Sequence, residues 1–180
     1  MTTTTRQTVR NGIAQYFGGT VYDQEARAYR GAGPLASSGL STVRAYQPKR
    51  MPDVDYVYAQ AAGRGMGAAM VVELPSDVES RDAKPAGTGR KRINYTVVLH
   101  CFHLAYQSHA EDAGPDVDNL VEQIKALIRQ DVTLGGAVNL QAGESRAHIK
   151  TRIYPSAVLD KEKIATAFDI TFEAEVEIIG

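Results

Sequence analysis

The side chains best suited to chemistry cluster in one apolar run, INYTVVLHCFHLAY at 93–106, which holds His100, Cys101 and His103. His100 and His103 lie three apart, so on a strand they point to opposite faces and cannot chelate one ion. Cys101 and His103 share a face, which leaves a metal pair or a Cys–His nucleophile to consider. A reactive cysteine needs a setting that stabilises its thiolate, whereas burial in mid-strand raises the thiol pKa. Ordinary strand packing is the expectation for both. His109 and His148 fall at loop or strand ends and carry no pattern. The single cysteine excludes an internal disulfide and a multi-cysteine zinc site. The glycines of GRGMGAAM (63–70) precede a strand and open no helix, and no Walker lysine follows, so neither a dinucleotide fingerprint nor a phosphate loop is present. No G-x-S-x-G or H-E-x-x-H occurs. No catalytic, cofactor-binding or metal-binding residue is assigned, no cofactor is expected, and the chain is not expected to be an enzyme.

Three other groups of residues could make contacts. Arg81, Lys84, Arg90, Lys91 and Arg92 surround PAGTG (85–89) in a stretch, about 76–92, that reads as a projecting basic hairpin loop. It is suited to phosphates or to an acidic neighbouring subunit, with a solvated loop tip as the plainer account. Glu173, Glu175 and Glu177 form a carboxylate ladder on one face of the last strand. Like charges so close need open water or cations alongside, such as Arg92 or Lys150, and the ladder could line a lumen or a subunit contact. Nothing near it suggests the burial that a paired-carboxylate active site requires. The third group is Arg27, Tyr29 and Arg30, in a Gly-, Ala- and Ser-rich stretch at 23–42 that reads as a partner-contact loop or a flexible connector.

The elements that must position these residues follow from periodicity. Val9, Ile13, Tyr16 and Phe17 predict an amphipathic helix over 4–17, with Gly18-Gly19 as its stop and Gly12 unfavourable within it. Short strands are expected at 20–22, 42–46 and 54–59. Another is expected at 68–75, closed by Pro75. The run 93–106 is apolar on both faces and reads as a central strand covered on both sides. Val117, Leu120, Val121, Ile124, Leu127 and Ile128 predict a helix at 116–130, started by Pro115 and Asp116 and stopped by Gly135-Gly136. A strand at 147–154 ends at Pro155. The closing strand, 165–179, alternates cleanly between Phe168, Ile170, Phe172, Ala174, Val176 and Ile178 and a polar set. The expected fold class is therefore α+β. A single domain spans 1–180, with one mostly antiparallel sheet, an N-terminal helix, a second amphipathic helix and a long hairpin loop.

The 180 residues are 43% hydrophobic and 23% charged, which is globular composition, and no apolar run approaches the ~20 residues of a membrane span. The net charge of −1 argues against a dedicated nucleic-acid binder, but it conceals a gradient. Residues 1–50 carry seven basic and two acidic groups (+5), 51–110 six of each, and 111–180 seven basic and thirteen acidic (−6). Such asymmetry can mark complementary contact surfaces, or it can be mixed into one neutral surface by folding.

The element order resembles the tail terminator (tail completion) proteins of long-tailed bacteriophages. The resemblance is carried by the N-terminal helix, the MPDVDYVYAQ segment and the long hairpin loop, then by INYTVVLHCFHLAY, VDNLVEQIKALIRQDVTLGG and the closing AFDITFEAEVEII. It covers most of the chain outside 23–42, and LIRQDVTLGG is its most family-like phrase. It implies a structural virion protein without catalytic residues, located in the tail at the head-tail junction and assembled in the host cytoplasm. Copies would form a hexameric ring that caps the tail tube, ends its growth and meets the head-side connector or stopper. Genomic DNA would pass through the lumen without sequence-specific binding, and no membrane is involved. Alternatives are another connector ring (stopper or head completion) or the tail-tube protein. Below these rank a small DNA-binding module using the Arg81–Arg92 stretch and the basic N-terminal half, and an α+β enzyme using Cys101 and His103.

Overall fold

The computed structural model of the chain describes residues 5–57, 65–82, 89–107, 110–138, 140–142 and 148–179. Thr5 starts the first helix, α1 (Arg6–Gly18), by a reciprocal capping box: Thr8 N–H donates to Thr5 Oγ1 at 3.2 Å and Thr5 N–H to Thr8 Oγ1 at 2.8 Å. Gly19 ends it at φ 82°, a conformation that suits glycine. Then follow β1 (Tyr22–Asp23), β2 (Ala28–Arg30), a 3₁₀ turn (Ala36–Ser38), β3 (Leu40–Arg44), a second 3₁₀ turn (Asp53–Tyr56), β4 (Gly67–Asp82) and β5 (Arg90–Tyr106). The chain continues as α2 (Ala110–Gln130), β6 (Leu140–Ala142), β7 (Lys150–Ile153), β8 (Ala157–Val158) and β9 (Lys163–Ile179).

These strands make one open sheet, ordered β1-β2-β3-β4-β5-β9-β6, with β7 and β8 also docked along β9. Every pairing is antiparallel except β3 with β4. The α+β class is as the sequence implies. α1 lies over β2–β4 and α2 over β5 and β9, side by side on one face of the sheet. Val9, Ile13 and Phe17 from α1 and Leu120, Ile124 and Ile128 from α2 meet Met70, Val72, Leu99, Phe168, Ile170 and Phe172 in one core.

Several sequence expectations are corrected. The central strand is buried on one face only: Ile93, Tyr95, Val97, Leu99, Cys101 and His103 are buried, while Asn94, Thr96, Val98, His100 and Phe102 are half-exposed. Both helices are spent on the first face, which leaves the second without a described helix over it along this stretch. The 23–42 loop is folded into β1, β2, a 3₁₀ turn and β3, elements too short to show a readable alternation. The strand expected at 54–59 is a 3₁₀ turn over Asp53–Tyr56, and residues 58 and 59 lie outside the described residues. β4 does not stop at Pro75 but runs on to Asp82 through a bulge, Glu73 opposing Val98 while Ser76 opposes Thr96. β3 accompanies β4 only to Val71, so among the described strands β4 is already an edge at Pro75, where no outward N–H is needed. Consequently 76–82 and 90–92 are strand rather than loop, and only 83–88, with Lys84, lie outside the described residues. α2 begins at Ala110 and includes Pro115, which the sequence reading places at its start.

Gly12 has a packing reason. A Cβ there would lie 2.8 Å from the Ala137 Cβ, because the turn after α2 is seated against α1. Gly12→Ala gains ~1 kcal/mol of helix propensity, yet the overpacking outweighs it, and a net loss of about 1–2 kcal/mol is expected in urea denaturation. A more stable variant would show that the turn is not seated there.

That turn is organised by Asp131, whose carboxylate accepts from Thr133 Oγ1 (2.7 Å), Thr133 N (2.9 Å) and Gly135 N (2.8 Å). It holds Leu134 at φ 50° with its side chain fully buried. The Thr133 hydroxyl and then the Gly135 and Thr133 amides keep the Asp131 carboxyl below its ordinary range. A depressed carboxyl stabilises the fold above its unfolded pKa, ~3.9, and loses that effect as pH falls through the folded value. Asp131→Ala is therefore expected to cost about 1–2 kcal/mol at pH 7, with the gap to the parent closing below about pH 4 in melting curves.

Candidate functional site

Two features on the sheet face away from the helices stand out. The first is a buried charge cluster. Val43 and Ala45 of the β3 segment enter the core, so Thr42 and Arg44 point the other way, and the pairing of Arg30 with Thr42 puts Arg30 beside them. The 53–56 turn lies over these side chains and inserts Asp55, which is completely buried. Arg44 Nε and Nη2 donate to Asp55 Oδ2 at 3.0 and 2.8 Å, and Arg30 Nη2 donates to Oδ1 at 2.5 Å. Arg30 Nη1 also donates to Asp23 Oδ2 at 2.9 Å, and Arg44 Nη1 to the Ala26 carbonyl. One carboxylate thus clasps β2, β3 and the 53–56 turn together, and Arg44 ties in the β1–β2 turn through Ala26. Burial beside it pushes the Tyr56 phenol up to about 12.

The trio Arg27, Tyr29 and Arg30 is therefore split. Arg30 is engaged internally. Tyr29 packs edge-on against Tyr22, ring centroids 4.9 Å apart, and abuts Gly18 of α1. Arg27, at φ 53° in the β1–β2 turn, is the exposed member.

The second feature is the arm formed by β4 76–82, β5 90–96 and β9 173–179. Residues 75–81 are all exposed, and beyond Val71 no described strand pairs with the outer edge of β4. Beyond Glu175 no described strand pairs with the outer edge of β9. The carboxylate ladder stands on the uncovered face of this arm, opposite Thr96, Asn94 and Arg92. Glu173 accepts from Asn94 Nδ2 at 3.0 Å, Glu175 lies 3.8 Å from Arg92 Nε, and Glu177 lies 3.4 Å from Arg90 Nη1. Arg92 is the cation that the sequence reading suggests for the ladder, while Lys150 pairs in register with Thr171, further along. On the other face Glu79 holds both Lys91 (2.5 Å) and Arg81 (2.7 Å), and these bonds keep its carboxyl below the ordinary range. Arg81, Arg90, Lys91 and Arg92 are thus each matched to a carboxylate. A basic loop ready for phosphate is not what the described residues present.

The histidines separate as strand parity requires. His100 is on the uncovered face, its Nδ1 2.7 Å from Asp169 Oδ1 and its Nε2 3.3 Å from Glu73 Oε2. Tyr154 OH donates to Asp169 Oδ2 at 2.6 Å, a bond that raises the phenol pKa. Cys101 and His103 face α2. Burial drives the thiol well above its ordinary range and pulls the imidazole down, a setting that disfavours both a thiolate and an imidazolium. A Cys101→Ala variant that keeps full function would end the enzyme reading. Among the described residues no three His, Cys, Asp or Glu side chains form a metal-holding group, and no described helix is long and apolar enough to cross a membrane. His109 lies outside the described residues.

Sequence reasoning misses both the Asp55 cluster and the His100–Asp169–Tyr154 chain. The signal for the first is a lone aspartate in an apolar run, but its arginine partners emerge only once β2 and β3 are paired. No protein-family model and no curated protein matches the chain.

Proposed function

We propose that the chain is a structural virion protein whose copies form a ring, of six by the resemblance noted above. The ring caps the phage tail tube, ends its growth and joins it to the head connector, and DNA passes through its lumen. The observation that carries this reading is the β4–β5–β9 end of the sheet, which has two edges that no described strand covers. Open edges in a protein of this size call for a partner, and an edge-to-edge contact between unlike edges is heterologous and can close into a ring. The ladder Glu173, Glu175 and Glu177 would line that lumen, and with Arg90 and Arg92 beside Glu177 and Glu175 it offers DNA a surface near neutrality, with no free cation of its own to grip phosphate. Internal pairing of Arg81, Arg90, Lys91 and Arg92 weighs against a DNA-gripping module.

Native mass measurement with negative-stain imaging, alone and with tail tubes added, tests the proposal. A six-fold ring, free or at tube ends, is the expected result. A chain that stays monomeric in both settings overturns it. A ring map with the ladder on the outer rim removes the lumen role. Position within the particle separates a terminator from a neighbouring stopper ring or the tube itself.

A further inference from the structure

The two open borders of the sheet begin and run at the same height. On one side, β6 occupies the outer edge of β9 only as far as Glu175, and no described strand lies beside 176–179. On the other side, β3 leaves β4 after Val71. Arg6 of α1 then closes that border for a few residues, donating to the Leu74 carbonyl and pairing with Asp77 at 2.9 Å. The open stretch of β4 is therefore 78–82, starting at Val78, which is 70% exposed. β5, between the two, sets one against the other. Ile93 pairs with Glu79 on one side and Val176 on the other, and Arg90 pairs with Asp82 and Ile179. Residues 79–82 and 176–179 thus occupy the same four levels of the sheet. Both β4 and β9 run antiparallel to β5, so they run parallel to each other.

We propose that neighbouring copies are joined by a parallel strand pair, the 79–82 border of β4 in one copy against the 176–179 border of β9 in the next. The sheet then continues from copy to copy. This rests on the ring reading and names the junction of that ring. Unpaired main-chain groups on the two borders supply the attraction, as wherever a strand is added to a sheet edge. Equal height decides the outcome: a neighbour related by rotation without rise presents one open stretch beside the other, which closes a ring instead of extending a helical filament. The shared direction also keeps like faces together. Ser80 and Glu177 both pair with Arg92, on the face away from the helices, so that face carries on into the next copy.

The test is cross-linking in the full-length chain, alone and with tail tubes added. Ser80→Cys/Glu177→Cys sets one thiol on each border at one level. Arg81→Cys/Ile178→Cys does the same one level along, on the opposite face. Within a copy β5 separates the two thiols by about 9–10 Å, two strand spacings, which a disulfide does not span. Cys101 is buried and takes no part. Mild oxidation is expected to give a covalent ladder on non-reducing gels that stops at the ring number, with none from the single substitutions. Failure of both pairs to cross-link, where the parent forms rings, overturns this junction and leaves the ring reading standing. Dimers from Ser80→Cys alone overturn it too, since β4 then pairs with itself, and so does a ladder without upper limit. A parent chain that forms no ring in either setting removes the ring reading and this inference with it.

Discussion

Asp55→Ala is expected to destabilise the protein by about 3–5 kcal/mol, the range for removing one member of a buried charge cluster. The carboxylate is fully buried and shared by Arg30 and Arg44. Without it, two guanidinium groups remain beneath the 53–56 turn with their main counterion gone. The lost hydrogen bonds matter less than this leftover, uncompensated charge. Equilibrium unfolding in urea measures the change. A comparison sharpens it: replacing Asp55, Arg30 and Arg44 together by apolar residues of similar size should cost less than Asp55→Ala, because no buried charge is stranded. A single variant that loses less than ~1 kcal/mol would mean that water reaches the arginines and the clasp is open in solution.

Phe172→Ala should cost about 3–5 kcal/mol, the range for deleting a large buried aromatic side chain and leaving a cavity. Phe172 is 1% exposed and sits with Phe168 and Ile170 under the two helices. Its neighbour in sequence, Glu173, faces the opposite way and is half-exposed. Glu173→Ala removes one bond from Asn94, and a loss of no more than about 1 kcal/mol is expected. The contrast between adjacent positions, read by thermal or urea unfolding, checks the strand's parity directly. Similar losses at both sites would indicate that something covers the polar face in solution.

The legible parts of this fold are those with long periods. β9 alternates over many residues, and α2 repeats its apolar stripe through Ile128, so both emerge from spacing alone. β1, β2 and β3 are two, three and five residues long, below the length at which alternation separates from chance, and their region reads as loop. The Asp55 cluster was hidden for a related reason: its members are far apart in sequence and converge only through strand pairing. Apolar residues on both sides of 93–106 suggest full burial, yet coverage depends on where the helices go, and both go to one side. For the candidate contacts, the ladder and its face are visible as an alternating pattern. The neutralisation of the basic residues is not, because register decides which carboxylate each one meets.

The bulge beside Pro75 has a consequence for how the sequence can be edited. Because β4 carries one extra residue there, removing the Pro75 codon would restore unbroken alternation, and every side chain of 76–82 would keep its present face. The protomer should tolerate that deletion. What it would lose is the bulge and the missing N–H that interrupt a border no described strand pairs with beyond Val71. A straightened border accepts any extended chain, so the shortened protein is expected to precipitate as fibrous aggregates on concentration. One proline codon would then separate a discrete protein from a material that grows without limit.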